Sequence, residues 1–212
     1  MKQLAISLTA FAAITFTTCN NGSNLSSVQK DTSIIDKLDK MDTGRAVTMP
    51  TGNATFVHAS FTNVNADVAA DVQEVASRYF HMKHALVNDD AAATKKGASM
   101  VLQVVSQFDN ATFPAEQKSV YDSQIGAIKE HAQTIVTNDD LDAERMHFAE
   151  LSKHMYELIK AFGVAKRLYY DHCPMALNNK GANWLNESLG IQNPYFKGTA
   201  MNTCGKVEKV IE

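Results

Sequence analysis

Residues 67–86 read DVAADVQEVASRYFHMKHAL. In this stretch Val68, Val72, Val75, Tyr79, Met82 and Leu86 alternate steps of four and three. That spacing lines apolar side chains along one face of an α-helix. Asn88-Asp89-Asp90 breaks the seam, and one of the Asp residues can N-cap the next helix. The second helix runs from about 90 to 108, with Ala98, Val101, Val105 and Phe108 on one face. Pro114 opens a third helix, where its fixed φ and missing N–H cost least. The seam there is Tyr121, Ile125, Ile128, Ala132 and Ile135. Asn138-Asp139-Asp140 repeats the turn-and-cap chemistry. A fourth helix carries Phe148, Leu151, Met155, Leu158 and Phe162, and Gly163 stands where a C′ glycine is expected. Four amphipathic helices on short links predict an all-α domain over 66–212, an up-and-down four-helix bundle. No fixed-period repeat marks a solenoid.

After Gly163 the pattern changes to a loop-rich C-terminal lobe with room for a short two-stranded hairpin. Leu168-Tyr169-Tyr170 is short, aromatic and strand-like, and Lys206-Val207-Glu208-Lys209-Val210-Ile211 reads as a second strand. A helical turn is expected around Trp184-Leu185 between them, and Asn193-Pro194 marks a turn.

Upstream, residues 20–65 are rich in Ser, Thr, Asn, Asp and Gly without a sustained period, and read as a flexible tether. About 45 such residues span on the order of 35–40 Å end to end. Lys2 begins a targeting segment whose apolar run, 4–17, is shorter than the about 20 residues a membrane-crossing helix needs. Cys19 follows, then Asn20-Asn21-Gly22-Ser23. The arrangement is similar to a bacterial lipoprotein signal with Cys19 lipidated, although Thr18 and Phe16 stand where the usual box has a small residue and Leu. The expected location is the cell envelope, lipid-anchored and facing the periplasm.

The chain has 212 residues, 45% hydrophobic and 20% charged, with a formal net charge of −3. No block of Lys or Arg offers the basic face that nucleic acid requires. No Gly-rich phosphate loop, Gly-x-Ser-x-Gly elbow or Cys-x-x-Cys-His haem motif is present. With no constellation for turnover, an enzyme is not expected.

The densest chemistry lies between Tyr170 and Gly205. Cys173-Pro174-Met175 sets a thiol and a thioether two apart, and Pro174 favours an extended Cys173. Met201 and Cys204 are three apart, one helical turn. Brought together, the pairs make a sulfur pocket of the kind that selects Cu(I), with His172 as the nearest nitrogen donor; Cys plus His would suit Zn(II). The competing reading is a Cys173–Cys204 disulfide that staples the lobe, since an even pair in an exported chain is first a disulfide candidate.

His81 and His84 form an i, i+3 pair off the first seam. His131 flanks the third seam, a boundary position that becomes a ligand position if the lobe covers it. His147 and His154 share a stripe on the fourth helix, but seven residues is about 10.5 Å along the axis, too far for one ion. Glu144-x-x-His147 has the spacing of a ferritin-like di-iron pair, yet no second copy exists.

The motifs Cys173-Pro174-Met175-Ala176, Gly181-Ala182-x-Trp184-Leu185, Ile191-x-Asn193-Pro194-Tyr195-Phe196 and Met201-x-x-Cys204-Gly205 resemble the bacterial domain of unknown function 3347 family. Glu130-His131, Arg145-x-His147-Phe148 and Ala161-Phe162-Gly163 extend the resemblance from about Val72 to the end. That family occurs as exported proteins and lipoproteins, and at the C-terminus of periplasmic adaptor subunits of heavy-metal efflux pumps. The resemblance implies a helical exported domain that handles copper or another heavy metal. It carries Cys173, Met175, Met201 and Cys204 as ligands, with His131 and His172 as further candidates. The expected function is soft-metal binding, Cu(I) ahead of Zn(II), for sequestration or hand-off to an efflux system through an adaptor protein. The rival is a disulfide-stapled interaction module without metal.

Overall fold

A computed structural model describes residues 54–108, 113–198 and 200–212. The expected targeting segment, the lipidated Cys19 and most of the expected tether lie outside the described residues.

Four long helices pack side by side: α1 (Ala66–Val87), α2 (Ala91–Ser106), α3 (Ala115–Thr137) and α4 (Leu141–Phe162). Each packs on the next in sequence, and α1 also meets α4. The caps follow from the sequence. Asp90 accepts from the Ala93 N–H at 2.8 Å and Asp140 from the Asp142 N–H at 3.0 Å. Each side chain satisfies a backbone donor that the first helical turn leaves free. Gly163 ends α4 at φ 78°, its N–H returning to Ile159 O at 2.7 Å. The expected seam residues of α1, α3 and α4 are all buried, as are Ala98, Val101 and Val105 of α2. Gly97 sets the α1–α2 approach: a Cβ there would lie 2.7 Å from Met82 Cγ and 3.1 Å from Met82 N.

The C-terminal part corrects the all-α expectation. It forms a four-stranded mixed sheet, β1 (Thr55–Val57), β2 (Leu168–Cys173), β3 (Ala182–Asn186) and β4 (Lys206–Ile211), in the order β1-β4-β2-β3. β2 lies antiparallel to both β3 and β4, and β1 joins β4 in parallel. The two expected strands pair with each other as β2 and β4. Trp184 and Leu185 lie in strand β3, not in a helical turn. That turn is instead α5 (Ala176–Asn179), where Leu177, Asn178 and Asn179 take positive φ of 51°, 59° and 64°. Gly181 then enables the return into β3, so β2, α5 and β3 make one hairpin-like unit.

The tether expectation is also corrected. Residues 54–65 belong to the folded unit: β1 completes the sheet, Ser60 and Phe61 donate to Lys160 O and Ala161 O at 2.9 Å, and Phe61 packs on Phe162 at 5.3 Å. A strand of three residues, exposed on two of them, carries too little pattern to be read from sequence.

Two buried pins join helices to sheet. The Tyr79 hydroxyl accepts from the Leu185 N–H at 2.9 Å and pairs with Ser152 Oγ at 2.8 Å, while its ring stacks on Phe148 at 4.9 Å. Lys83, 1% exposed, donates to Asn186 Oδ1 at 2.9 Å, and Asn186 donates to Asp171 Oδ2 at 2.9 Å. Burial lowers Lys83 to about 8 and raises Asp171 to about 7. Arg145, 1% exposed, makes a third tie from α4. It donates to Pro194 O at 3.0 Å and Leu86 O at 3.2 Å, and pairs with Asp89. No described helix is long and apolar enough to cross a membrane.

Candidate functional site

Cys173 ends β2, and Cys204 stands two residues before β4. The antiparallel pairing of β2 with β4 brings them to a Cα–Cα distance of 5.9 Å, and they are joined in a disulfide. Cys173 is fully buried. Asn193 locks the loop beside it: its side chain donates to Cys204 O at 2.7 Å and accepts from the Tyr195 N–H at 2.8 Å. Gly205, at φ 145°, lets the backbone pass under Trp184, where a Cβ would lie 2.8 Å from the indole. As folded, the two cysteine sulfurs bond each other and offer no thiolate.

The remaining sulfur-lobe candidates spread outward. Met175 is 43% exposed at the start of α5. Met201 is half-buried in the turn that hydrogen-bonds to Cys204. His172 faces Glu208, its Nδ1 3.3 Å from the carboxylate. His81 is exposed, and His84 faces Glu187 at 3.3 Å beside Lys166. That lysine already neutralises the carboxylate, which makes a poor cation site.

A different set of ligand-type groups does converge. His131 of α3 and His147 of α4 bring their Nδ1 atoms to 3.3 Å. Two nitrogens at about 2.0–2.1 Å from one tetrahedral ion lie about 3.3–3.4 Å apart. A linear two-coordinate ion at the same bond length needs about 4 Å. The separation suits an N–H···N bond between the two rings, with the donor set by the tautomers, and it equals the spacing of two ligands on a tetrahedral ion. His154 stacks on His131, with ring centroids 6.0 Å apart at 24°. Its Nδ1 pairs with Gln124 Oε1 at 2.8 Å, which ties the ring to α3. Burial, then the neighbouring His147, holds His131 below its usual value, so a neutral imidazole is favoured. Metal ligation requires that form.

The pair opens into a groove of about 550 Å³ between α4 and the C-terminal lobe, lined also by Met146, Glu150, Leu177, Tyr195 and Phe196. Tyr195 is fixed there by donation to Asn183 O at 2.6 Å and by its contact with Phe148 at 6.1 Å. His131 is half-buried and shares the groove wall with Leu177, Tyr195 and Phe196 of the lobe. Among the described residues, no group of three or more His, Cys, Asp or Glu side chains is arranged to hold a metal ion. The His131–His147 pair is a two-nitrogen set on the groove wall.

Sequence reasoning set His147 aside because His154 lies too far along the helix. It overlooked the partner helix. His131 lies eight residues before Asp139 in the α3–α4 turn and His147 eight after, so an antiparallel hairpin sets them level. The same mirror pairs Gln124 with His154, each fifteen residues from Asp139. Glu144 points elsewhere. It is fully buried with neither carboxylate oxygen hydrogen-bonded, and desolvation raises it to about 7, so it does not complete a di-iron pair with His147.

No curated protein matches the chain. No solved structure matches it either. The matched family segment covers most of the helical part and stops before β2, so the cysteine- and tryptophan-bearing motifs fall outside it. Residues 75–167 match the model of a family described as protein of unknown function (DUF3347), and the chain resembles that family.

Proposed function

We propose that this chain binds a transition-metal ion for sequestration or hand-off in the cell envelope, with His131 and His147 as the protein's anchoring ligands. The reading includes a lipid anchor at Cys19, an up-and-down arrangement of the four helices, and an efflux adaptor as the receiving partner. It includes no turnover.

The observation that carries it is the 3.3 Å approach of two imidazole nitrogens from different helices. Neutral imidazole suits copper, zinc and nickel, and copper stands highest in the affinity order for divalent ions. The groove beside the pair fits an ion that must leave again. The disulfide enters as a staple for the lobe that roofs the groove. If a dithiol reductant opened it, the freed thiols would be a separate Cu(I) site.

The test is a titration of disulfide-intact full chain, purified without chelator, with Zn(II) and Cu(II) against a competing chelator. One-to-one binding that is lost in both His131→Ala and His147→Ala supports the reading. Wild-type affinity in both variants contradicts it. An absence of binding in the wild type leaves the metal-free, stapled interaction module.

A further inference from the structure

Among the described residues, three large hydrophobic side chains are exposed: Phe56, Met146 and Met175. Met146 is the most exposed, at 51%, and it alone lines the histidine groove. Single exposed apolar residues are ordinary. This one is set apart by its position.

It sits between two committed neighbours. Arg145 is spent on the pin to Asp89 and the lobe carbonyls, and His147 forms the clip. Successive helical residues point about 100° apart and do not normally share a surface. Here they do, because Leu177, Tyr195 and Phe196 of the lobe close over that flank and make one groove of it. Methionine is unbranched with three rotatable bonds, so its sulfur can sweep the groove without moving the helix.

From this juxtaposition we infer that Met146 supplies a thioether ligand to the ion held by His131 and His147, completing a His₂Met site that favours Cu(I) over Zn(II). The inference rests on the histidine reading above. A thioether is a soft donor that strengthens a site for Cu(I) and adds little for Zn(II). Three-coordinate geometry at about 2.0 Å asks for about 3.5 Å between the two nitrogens, which the observed 3.3 Å reaches with a small side-chain adjustment. The competing donors in the groove are the carboxylates of Glu150 and Asp142, hard oxygen ligands that would instead favour the divalent ions; Asp142 is already paired with Arg145 and Lys197.

The test uses disulfide-intact full chain, shown to have no free thiol at Cys173 or Cys204, loaded anaerobically with Cu(I) supplied as its acetonitrile complex. Cu(I) affinity is measured by competition with bicinchoninate, Zn(II) affinity in parallel, and the copper K-edge absorption spectrum is recorded. Removing a supporting group around a metal already costs roughly 10–100-fold in affinity, so Met146→Leu, which loses a ligand, should weaken Cu(I) by at least about tenfold. The same variant should lose the single Cu–S shell at about 2.3 Å and leave Zn(II) binding within about twofold. Unchanged Cu(I) affinity, or a sulfur shell that persists in Met146→Leu, overturns the inference. In that case a loss of Cu(I) in His131→Ala shows that the clip stands without Met146. Retention in His131→Ala as well means that the histidine reading has failed first.

Discussion

Replacing Cys173 and Cys204 together by Ala isolates what the disulfide contributes. The bridged residues are 31 apart in sequence. For a loop of that length the chain-entropy model gives about 3.7 kcal/mol. Cys173 is fully buried against the core while Cys204 is half-buried, so lost packing adds on the order of 1 kcal/mol. The double variant should be less stable by about 4–5 kcal/mol in equilibrium urea unfolding under non-reducing conditions. The loss should concentrate in the lobe, with hydrogen-exchange protection falling first in β2, β3 and β4 and last in α1 and α4. Zn(II) affinity should remain within about twofold wherever the variant is folded, because both histidines sit on helices outside the stapled loop. A stability change under about 1 kcal/mol would refute the staple argument. Abolished Zn(II) binding in a folded double variant would show that the sulfurs, not the histidines, hold the ion.

Other outcomes follow from single contacts. Gly97→Ala gains helix propensity of up to about 1 kcal/mol but drives a methyl into Met82, partly against its backbone, so a net loss of about 1–2 kcal/mol is expected by urea unfolding. Arg145→Ala strips hydrogen bonds from two buried carbonyls and should cost on the order of 3 kcal/mol, with exchange protection lost around residues 194–196. Glu144 has a folded value of about 7 against an ordinary 4.5, so the folded state holds its proton more tightly. Its stabilising contribution is present below about 4.5 and is lost as pH rises through 7. Glu144→Gln should therefore match wild type at pH 4 and exceed it at pH 8 by on the order of 1–3 kcal/mol, and equal unfolding midpoints at pH 8 would contradict the orphan-carboxylate reading.

The helical half was legible because each seam repeats over several turns, Asp90 and Asp140 cap the helices after two breaks, Pro114 opens a third, and Gly163 ends the last helix. Those are local signals, and the buried residues follow them. The sheet was legible only in part. β2 and β4 are rich in aromatic and β-branched residues, but β3 carries Trp and Leu flanked by Asn, a pattern that fits strand or helix equally. β1 looked like linker because it gains its structure from pairing with a strand about 150 residues away. The disulfide was legible as an alternative from the even cysteine pair, since pairing in space decides it. The histidine clip was missed because His131 and His147 were judged on their own helices. Their equal distance from Asp139 was available in the sequence, and it acquires meaning once α3 and α4 are taken as an antiparallel hairpin. Met146 carries no pattern of its own, and the lobe that folds over α4 creates its setting.

The central claim is that the ion sits between α3 and α4. Its most direct test is an anomalous-scattering map of zinc-soaked crystals of the disulfide-intact protein, collected at the zinc edge. The account predicts a peak about 2.0–2.1 Å from Nδ1 of both His131 and His147. A peak at the Cys173–Cys204 lobe or at the His81–His84 pair, with none between His131 and His147, would contradict it.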